Sequence, residues 1–280
     1  MVAVGSPVQR GVDARLSINQ RSVPSLSVPA LIEACTRHGY RNIGLWREPV
    51  AATGPGEVAR LVERAELRVT SLCRGGWFLA PDASARRARE DDNRRAVDEA
   101  AAIGADCLAL VCGPALTKDL AAARREVADA IATLAEYARE VGVPLALEPM
   151  HPLYCGDRSV VVTLAQATAI AQGAGPGVGV LLDSYHLWWD PDLEAALADA
   201  AGLVHGLQLA DWLAPPPHHL NGRGMLGEGT IDLRRFCQLV EELTAYRGPI
   251  EVEIFNEELW ATDAEEALAR IATSFASEVG

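Results

Sequence analysis

Lysine is nearly absent from this sequence. Lys118 is the only lysine among 280 residues, so arginine carries almost all of the positive charge. A Schiff-base aldolase needs an active-site lysine. Lys118 follows a Gly-Pro segment and precedes a polar helix start, which predicts a solvated side chain. The scarcity of lysine therefore argues against imine chemistry.

A basic surface is also missing, because the formal net charge is −13. Enzymes that act on nucleic acids usually carry a basic face. The densest group of arginines, residues 86–95, is interleaved with Glu90, Asp91 and Asp92, a pattern typical of a solvated helix face with i,i+4 pairs. The charge pattern disfavours a nucleic-acid partner.

Paired cysteines and long apolar runs are absent as well. The six cysteines contain no CxxC pair, and most lie in apolar runs, where a free cysteine behaves as a small hydrophobe. We find no secretory h-region at the N-terminus and no apolar run long enough to span a membrane. These features predict a cytoplasmic enzyme with reduced, structural thiols and no membrane partner.

Short apolar runs alternate with amphipathic helices, which indicates βα units around a parallel sheet. After a loose N-terminal leader, residues 1–13, the pattern predicts eight strands and eight helices over residues 14–280. The predicted strands cover residues 15–19, 42–46, 68–73, 107–111, 144–148, 178–183, 204–209 and 250–255. This count favours a single α/β (β/α)8 TIM barrel, typically of about 250 residues, over a doubly wound open sheet. The long loop predicted at 211–230 is of a kind that is usually functional.

Acidic or amide side chains stand at or near the ends of predicted strands five to eight. They are Glu148, Asp183, Gln208 and Glu253. Burying a carboxylate without a partner is costly. The C-terminal strand ends of a barrel converge on one face, where oxygen ligands hold a hard divalent cation. We therefore expect the chemistry there. Glu251, on the same face as Glu253, is expected nearer the barrel floor or in an ion pair.

Two motifs add candidate residues beside these strand ends. In Asp183-Ser184-Tyr185-His186, one side chain can ligate a metal while the other faces a substrate hydroxyl. After Glu148, His151 either orients that carboxylate or caps the loop.

Arg223 lies in a glycine-rich segment and is a candidate clamp for substrate oxygens, with an exposed loop arginine as the alternative. The spacing of its glycines does not match GxGxxG, so dinucleotide binding is rejected. Four tryptophans follow predicted strands and suit a carbohydrate pocket, with packing under the loops as the alternative. They are Trp46, Trp77, Trp188 and Trp212.

Together these motifs resemble the sugar phosphate isomerase/epimerase family, the xylose isomerase-like TIM barrels, which includes ketose 3-epimerases, inosose isomerases and inosose dehydratases. The resemblance covers nearly the whole chain. The family's DxxH pattern matches Asp183 and His186, and its arginine after strand seven matches Arg223. The resemblance implies metal ligation by Glu148, Asp183, Gln208 and Glu253. It implies substrate binding by His186 and Arg223, to which we add Trp46 and Trp188.

The activity that this resemblance implies is isomerisation or epimerisation of a sugar or cyclitol. A proton next to a carbonyl leaves, a metal stabilises the enediolate, and Glu148 and Glu253 act as acid and base. An oxygen-rich site suits Mn²⁺, Mg²⁺ or Co²⁺ better than Zn²⁺. We expect an unphosphorylated small-molecule substrate. Members of the family are often dimers or tetramers, so a homodimer or homotetramer is implied.

Other activities stay open on the same residues. Epimerases usually place a histidine where this chain has Gln208, so a lyase is the second hypothesis. It would be either an inosose dehydratase or an enzyme that catalyses β-elimination on a 3-oxo-glycoside. A more remote alternative is an endonuclease IV-like hydrolase, which would need several metal-ligating histidines and a basic face. A non-catalytic sugar-binding barrel would lack one of the metal ligands, and none is missing here.

Overall fold

Eight parallel strands close into a barrel in a computed structural model that describes residues 12–280. The predicted leader therefore lies almost entirely outside the described residues. The strands are β1 (Leu16–Asn19), β2 (Asn42–Trp46), β3 (Arg68–Gly76), β4 (Leu108–Val111), β5 (Leu145–Leu147), β6 (Val178–Asp183), β7 (Val204–Leu209) and β10 (Ile250–Val252). They follow one another in chain order around the barrel, and β1 pairs with β10 to close it. The predicted TIM barrel is confirmed.

Helices surround the barrel. Within residues 12–280 the α-helices are α1 (Val28–His38), α2 (Arg47–Thr53), α3 (Pro55–Arg64), α4 (Ala83–Ala102), α5 (Leu120–Val141), α6 (Leu164–Ala174), α7 (Ser184–Leu187), α8 (Leu193–Asp199), α9 (Leu233–Thr244), α10 (Glu257–Trp260) and α11 (Ala264–Glu278). Short 3₁₀ helices cover Gln20–Ser22 and Pro152–Tyr154. None of these helices is both long and apolar enough to cross a membrane.

Local sequence explains where the first helix begins and ends. The Ser27 hydroxyl accepts from the Ala30 amide at the start of α1, and Gly39 ends the helix in the left-handed conformation. The one-turn and two-turn helices α2, α7 and α10 were not predicted, because so few residues cannot show a helical period.

The predicted loop 211–230 contains ordered structure. Its ends form an antiparallel ribbon in which β8 (Asp211–Trp212) pairs with β9 (Arg223–Gly224). The ribbon leaves the barrel immediately after β7, at the end where the candidate ligands lie. It therefore brings a residue from far along the loop back to the site.

Two apolar layers form the core. A large cluster fills the space between the strands and the helices, and a small second cluster contains Cys73, Cys107, Ala109, Ala146 and Leu181. All six cysteines are free, and all but Cys155 are buried, which agrees with the predicted structural role. Lys118 is exposed, as predicted.

Candidate metal and catalytic site

Three buried side chains meet at the C-terminal end of the barrel. Glu148 directly follows β5, Asp183 ends β6, and His186 lies in α7. His186 Nε2 is 3.6 Å from Glu148 Oε1 and 3.7 Å from Asp183 Oδ2. One candidate ligand atom from each residue lies within 4.8 Å of the other two. Two carboxylates and an imidazole at this spacing form a plausible set of ligands for one divalent cation.

A local cap places His186 beside Asp183. Asp183 Oδ1 accepts from the Tyr185 amide at 2.9 Å, which starts the single turn of α7 directly at the strand end. That turn directs His186 back over the barrel, and it leaves Asp183 Oδ2 facing the centre of the site. The DxxH spacing therefore has a structural cause: the cap and the candidate ligand share one carboxylate.

Arg223 lies between the carboxylates and is only 3% exposed, so the exposed-loop alternative is wrong. Its Nη1 donates to Asp183 Oδ2 at 2.9 Å, to Glu253 Oε2 at 3.2 Å and to the Glu253 carbonyl at 3.1 Å. Its Nη2 is 3.4 Å from His186 Nε2. The guanidinium thus links Glu253 to Asp183 and compensates part of their charge, whereas Glu253 is not part of the closely spaced group of Glu148, Asp183 and His186.

Backbone and aromatic contacts fix the position of Arg223. Its amide donates to the Phe255 carbonyl at 3.0 Å, and its carbonyl accepts from Asn256 Nδ2 at 2.8 Å. The guanidinium carbon lies 4.7 Å from the Tyr185 ring centroid and 4.8 Å from that of Phe255. These contacts desolvate the guanidinium of Arg223 and strengthen its attraction to the carboxylates.

Burial shifts the pKa values of the site towards the neutral forms of its groups. Burial raises the pKa of Glu253 to about 8, although Arg223 opposes the shift. Burial and then the charge of Glu253 raise the pKa of Glu148 well above its ordinary range, and burial also raises the pKa of Asp183. Burial, followed by the charge of Arg223, lowers the pKa of His186 well below its usual value. A neutral imidazole keeps a ring lone pair that can ligate a cation.

Gln208 faces the barrel interior from β7, beside Asp183 of β6 in the strand register. Its Nε2 donates to Glu251 Oε1 at 2.8 Å. Its Oε1 is buried and has no hydrogen-bond partner among the residues the structure describes. A buried carbonyl oxygen normally has a partner, so this orphaned atom fits a site that receives a cation.

The two tryptophans predicted to bind substrate, Trp46 and Trp188, are both partly exposed. Trp46 is half-buried at the end of β2, and its Nε1 donates to Asn19 Oδ1 at 2.9 Å. Trp188 is also half-buried, with its ring centroid 5.5 Å from that of Trp212. His151 stacks on Trp212 at 4.9 Å, and its Nδ1 accepts from the Leu153 amide. His151 therefore takes the loop-capping role of its two alternatives.

Sequence reasoning missed two tyrosines that hold the loop over the site. The hydroxyls of Tyr154 and Tyr185 both donate to the His219 carbonyl, the second at 3.0 Å. Both tyrosines are buried, and each ring packs against the His186 ring. Nothing in their local sequence pairs them, because one follows β5 and the other follows β6.

Asp211, at the start of this loop, organises loop backbone with its carboxylate. Oδ1 accepts from the amides of Trp212 and Ile231, and Oδ2 accepts from those of Gly227 and Gly229. A buried aspartate satisfied by four backbone amides joins both ends of the loop.

A closed parallel barrel with buried carboxylates at its C-terminal end defines a TIM barrel whose site lies at the strand ends. Residues 32–274 match the family described as the xylose isomerase-like TIM barrel, and the chain belongs to that family. The family resemblance drawn from the motifs is confirmed.

Three similar proteins illustrate the relationship. The crystal structure of protein SMc04130 from Sinorhizobium meliloti 1021 is 44% identical, with a TM-score of 0.92 over 95% of this chain and 98% of that chain. The IolI protein with a bound zinc atom is 21% identical, with a TM-score of 0.82 over 95% and 98% of the two chains. An inosose isomerase from Halalkalibacterium halodurans is 29% identical over 153 residues, or 52% of this chain. That match spans only about half of the curated relative, 51% of its length.

Proposed function

We propose that this protein is a divalent-metal-dependent isomerase or epimerase of a sugar or cyclitol. The observation that carries the proposal is the buried group of Glu148, Asp183 and His186, whose candidate ligand atoms lie within 4.8 Å of one another. Gln208 Oε1 and Glu253 complete the proposed set of ligands. The inosose isomerase among the relatives supports the reaction class and the substrate class.

A divalent cation bound to these residues would polarise a substrate carbonyl and so acidify the hydrogen on the neighbouring carbon. Glu148 and Glu253 are the groups available to move that proton. Burial raises the pKa of Glu253 to about 8 before a cation binds, and this carboxyl group is proposed to take up and return the proton. Arg223 lies within reach of oxygen atoms held beside Asp183 and Glu253, and Trp46 and Trp188 form apolar walls for a sugar ring.

The identity of the cation is part of the proposal. Oxygen ligands favour Mn²⁺, Mg²⁺ or Co²⁺, whereas the imidazole of His186 and the zinc bound to the IolI relative favour Zn²⁺ as well. We propose that His186 lies close enough to act as a ligand or to hold a substrate hydroxyl. Titration with each metal separately distinguishes these ions.

The test is to incubate metal-reconstituted protein with a panel of ketoses and inososes in D₂O and to follow the products by NMR. Deuterium at the α-carbon with an intact carbon–oxygen skeleton supports the proposal. Loss of water or of an aglycone would instead identify the lyase alternative. The matched control is Glu253→Gln loaded with the same metal, which should show no exchange. Absence of exchange with every substrate, despite bound metal, would contradict the proposal.

A further inference from the structure

Glu251 is a second buried glutamate. It lies on β10, deeper in the barrel than Glu253, which directly follows that strand, and the site described above does not use it. Its carboxylate accepts hydrogen bonds from four uncharged side chains on three other strands. The donors are Asn19 Nδ2 at 2.6 Å, Thr70 Oγ1 at 2.5 Å, Ser71 Oγ at 2.9 Å and Gln208 Nε2 at 2.8 Å. Of the two alternatives from the sequence, Glu251 therefore takes the floor position.

The barrel makes room for this carboxylate. A Cβ added to Gly44, on β2, would lie 2.4 Å from the Glu251 carboxyl carbon, so any larger residue there would displace the group. Thr70 Oγ1 also lies 2.9 Å from Ser17 Oγ, which ties β3 to β1 beneath the same glutamate. Glu251 thus occupies one defined position.

That position determines the orientation of Gln208. A carboxylate accepts hydrogen bonds and does not donate them, so the amide nitrogen of Gln208 must face Glu251. In the strand register Gln208 pairs with Glu251 on one side and with Asp183 on the other. With the nitrogen committed to Glu251, the buried oxygen remains without a partner among residues 12–280.

We propose that Glu251 is a positioning residue that fixes the Gln208 amide oxygen as a donor to the divalent cation. The inference rests on the proposed function, because it requires a cation at the group formed by Glu148, Asp183 and His186. Glu251 itself touches neither cation nor substrate. It selects one of the two amide orientations, the one in which oxygen rather than nitrogen is offered to the site.

The same carboxylate orients a second amide. Asn19 Nδ2 faces Glu251, which leaves Asn19 Oδ1 to accept from Trp46 Nε1 at 2.9 Å and from the Arg21 amide at 2.8 Å. Glu251 therefore connects a candidate metal ligand to an aromatic wall of the proposed substrate pocket. A displaced Glu251 carboxylate would disturb both Gln208 and Trp46.

Calorimetric titration of manganese into metal-free protein tests this role with variants of Glu251 and of one of its hydrogen-bond donors. Glu251→Leu removes the acceptor, and we expect metal affinity to fall about 10- to 100-fold, as for other partners of metal ligands. Glu251→Gln can turn its own amide oxygen towards Gln208, and Ser71→Ala removes a different donor. Both controls should bind within about threefold of the wild type.

A charge swap keeps the test decisive if Glu251→Leu does not fold. Gln208→Glu alone places two carboxylates side by side in the metal-free protein, so we expect a lower melting temperature. The double variant Gln208→Glu/Glu251→Gln restores one donor facing one acceptor and should recover the melting temperature while still binding manganese. Unchanged manganese affinity in Glu251→Leu, or no recovery in the double variant, would overturn the positioning role of Glu251 but not the proposed function. A wild-type protein that binds no divalent cation would overturn the proposed function, and the inference with it.

Discussion

Replacing Arg223 with methionine tests whether this guanidinium compensates the acidic centre. Arg223 is 3% exposed and lies 2.9 Å from Asp183 Oδ2 and 3.2 Å from Glu253 Oε2. Removing one partner of a buried ion pair costs about 3–5 kcal/mol, because the other charge stays buried and uncompensated. We expect metal-free Arg223→Met to lose about 3 kcal/mol at pH 9, the lower end of that range, because carboxyl groups can partly relieve the loss by taking up protons.

The loss should depend on pH in a defined direction. Burial raises the pKa of Glu253 to about 8 from 4.5, so the stability that its neutral form contributes is fully present below about pH 4.5 and declines as pH rises through 8. Without Arg223 the pKa of Glu253 rises further. The variant therefore continues to lose stability at pH values where Glu253 of the wild type has already released its proton. The difference between the two proteins should therefore be larger at pH 9 than at pH 6.

Thermal unfolding of chelator-treated protein at both pH values measures this difference. For a domain of 280 residues, with an unfolding entropy of about 2.1 cal/mol/K per residue, about 3 kcal/mol corresponds to a decrease in melting temperature of roughly 5 °C. Arg235→Met is the matched control, because Arg235 forms ion pairs with Glu194 and Glu242 but is 47% exposed. It should lose less than about 1 kcal/mol. An Arg223→Met protein that is as stable as the wild type at pH 9, or equally destabilised at both pH values, would refute the charge-compensation argument.

The remaining predictions concern the ligands and the loop. Glu253→Gln should lower turnover by about 10²- to 10⁴-fold with an unchanged circular dichroism spectrum, and retained activity would exclude an acid–base role. Gln208→His should still bind metal in calorimetry, since imidazole also offers a lone pair, and complete loss would mean that Gln208 does not face the cation. Metal affinity should increase from pH 6 to pH 9 because Glu253 must release its proton, and calorimetry in buffers of different ionisation enthalpy should detect that proton; a pH-independent affinity would contradict this. Asp211→Ala leaves four backbone amides without their acceptor and should cost at least about 1–3 kcal/mol in thermal unfolding, whereas wild-type stability would show that water replaces the carboxylate.

The strand-end residues could be predicted because each follows an apolar run in a chain that alternates strand and helix. Parallel closure then brings Glu148 and Asp183 to one face without further information. Arg223 could be suspected but not placed, because it lies in a long loop where no period shows whether a side chain turns inward. The β8–β9 ribbon, which pairs only two residues on each side, decides that question.

Local sequence patterns could not predict the hydrogen-bond partners of Glu251. Its partners come from β1, β3 and β7, which are distant in the chain and become neighbours of the carboxylate only inside the closed barrel. One signal was nevertheless present. Ser17 and Asn19 alternate with apolar residues in β1, and both are fully buried, so the barrel interior contains a polar layer beneath the site.

The segment 213–222 between β8 and β9 is held in place by contacts at its base and at its middle. The β8–β9 ribbon and Asp211 hold its base. The hydroxyls of Tyr154 and Tyr185 hold its middle by donating to the carbonyl of His219, a backbone group that does not depend on the type of residue. Exposed side chains of this segment, such as Pro217 and His219, can therefore be exchanged without moving Arg223, whereas Gly222 cannot, because an added Cβ would lie 2.4 Å from the His218 carbonyl oxygen. One barrel can in this way present different surfaces to the far end of a substrate while the reacting centre stays constant, which makes this segment the natural place to redirect substrate choice by loop replacement.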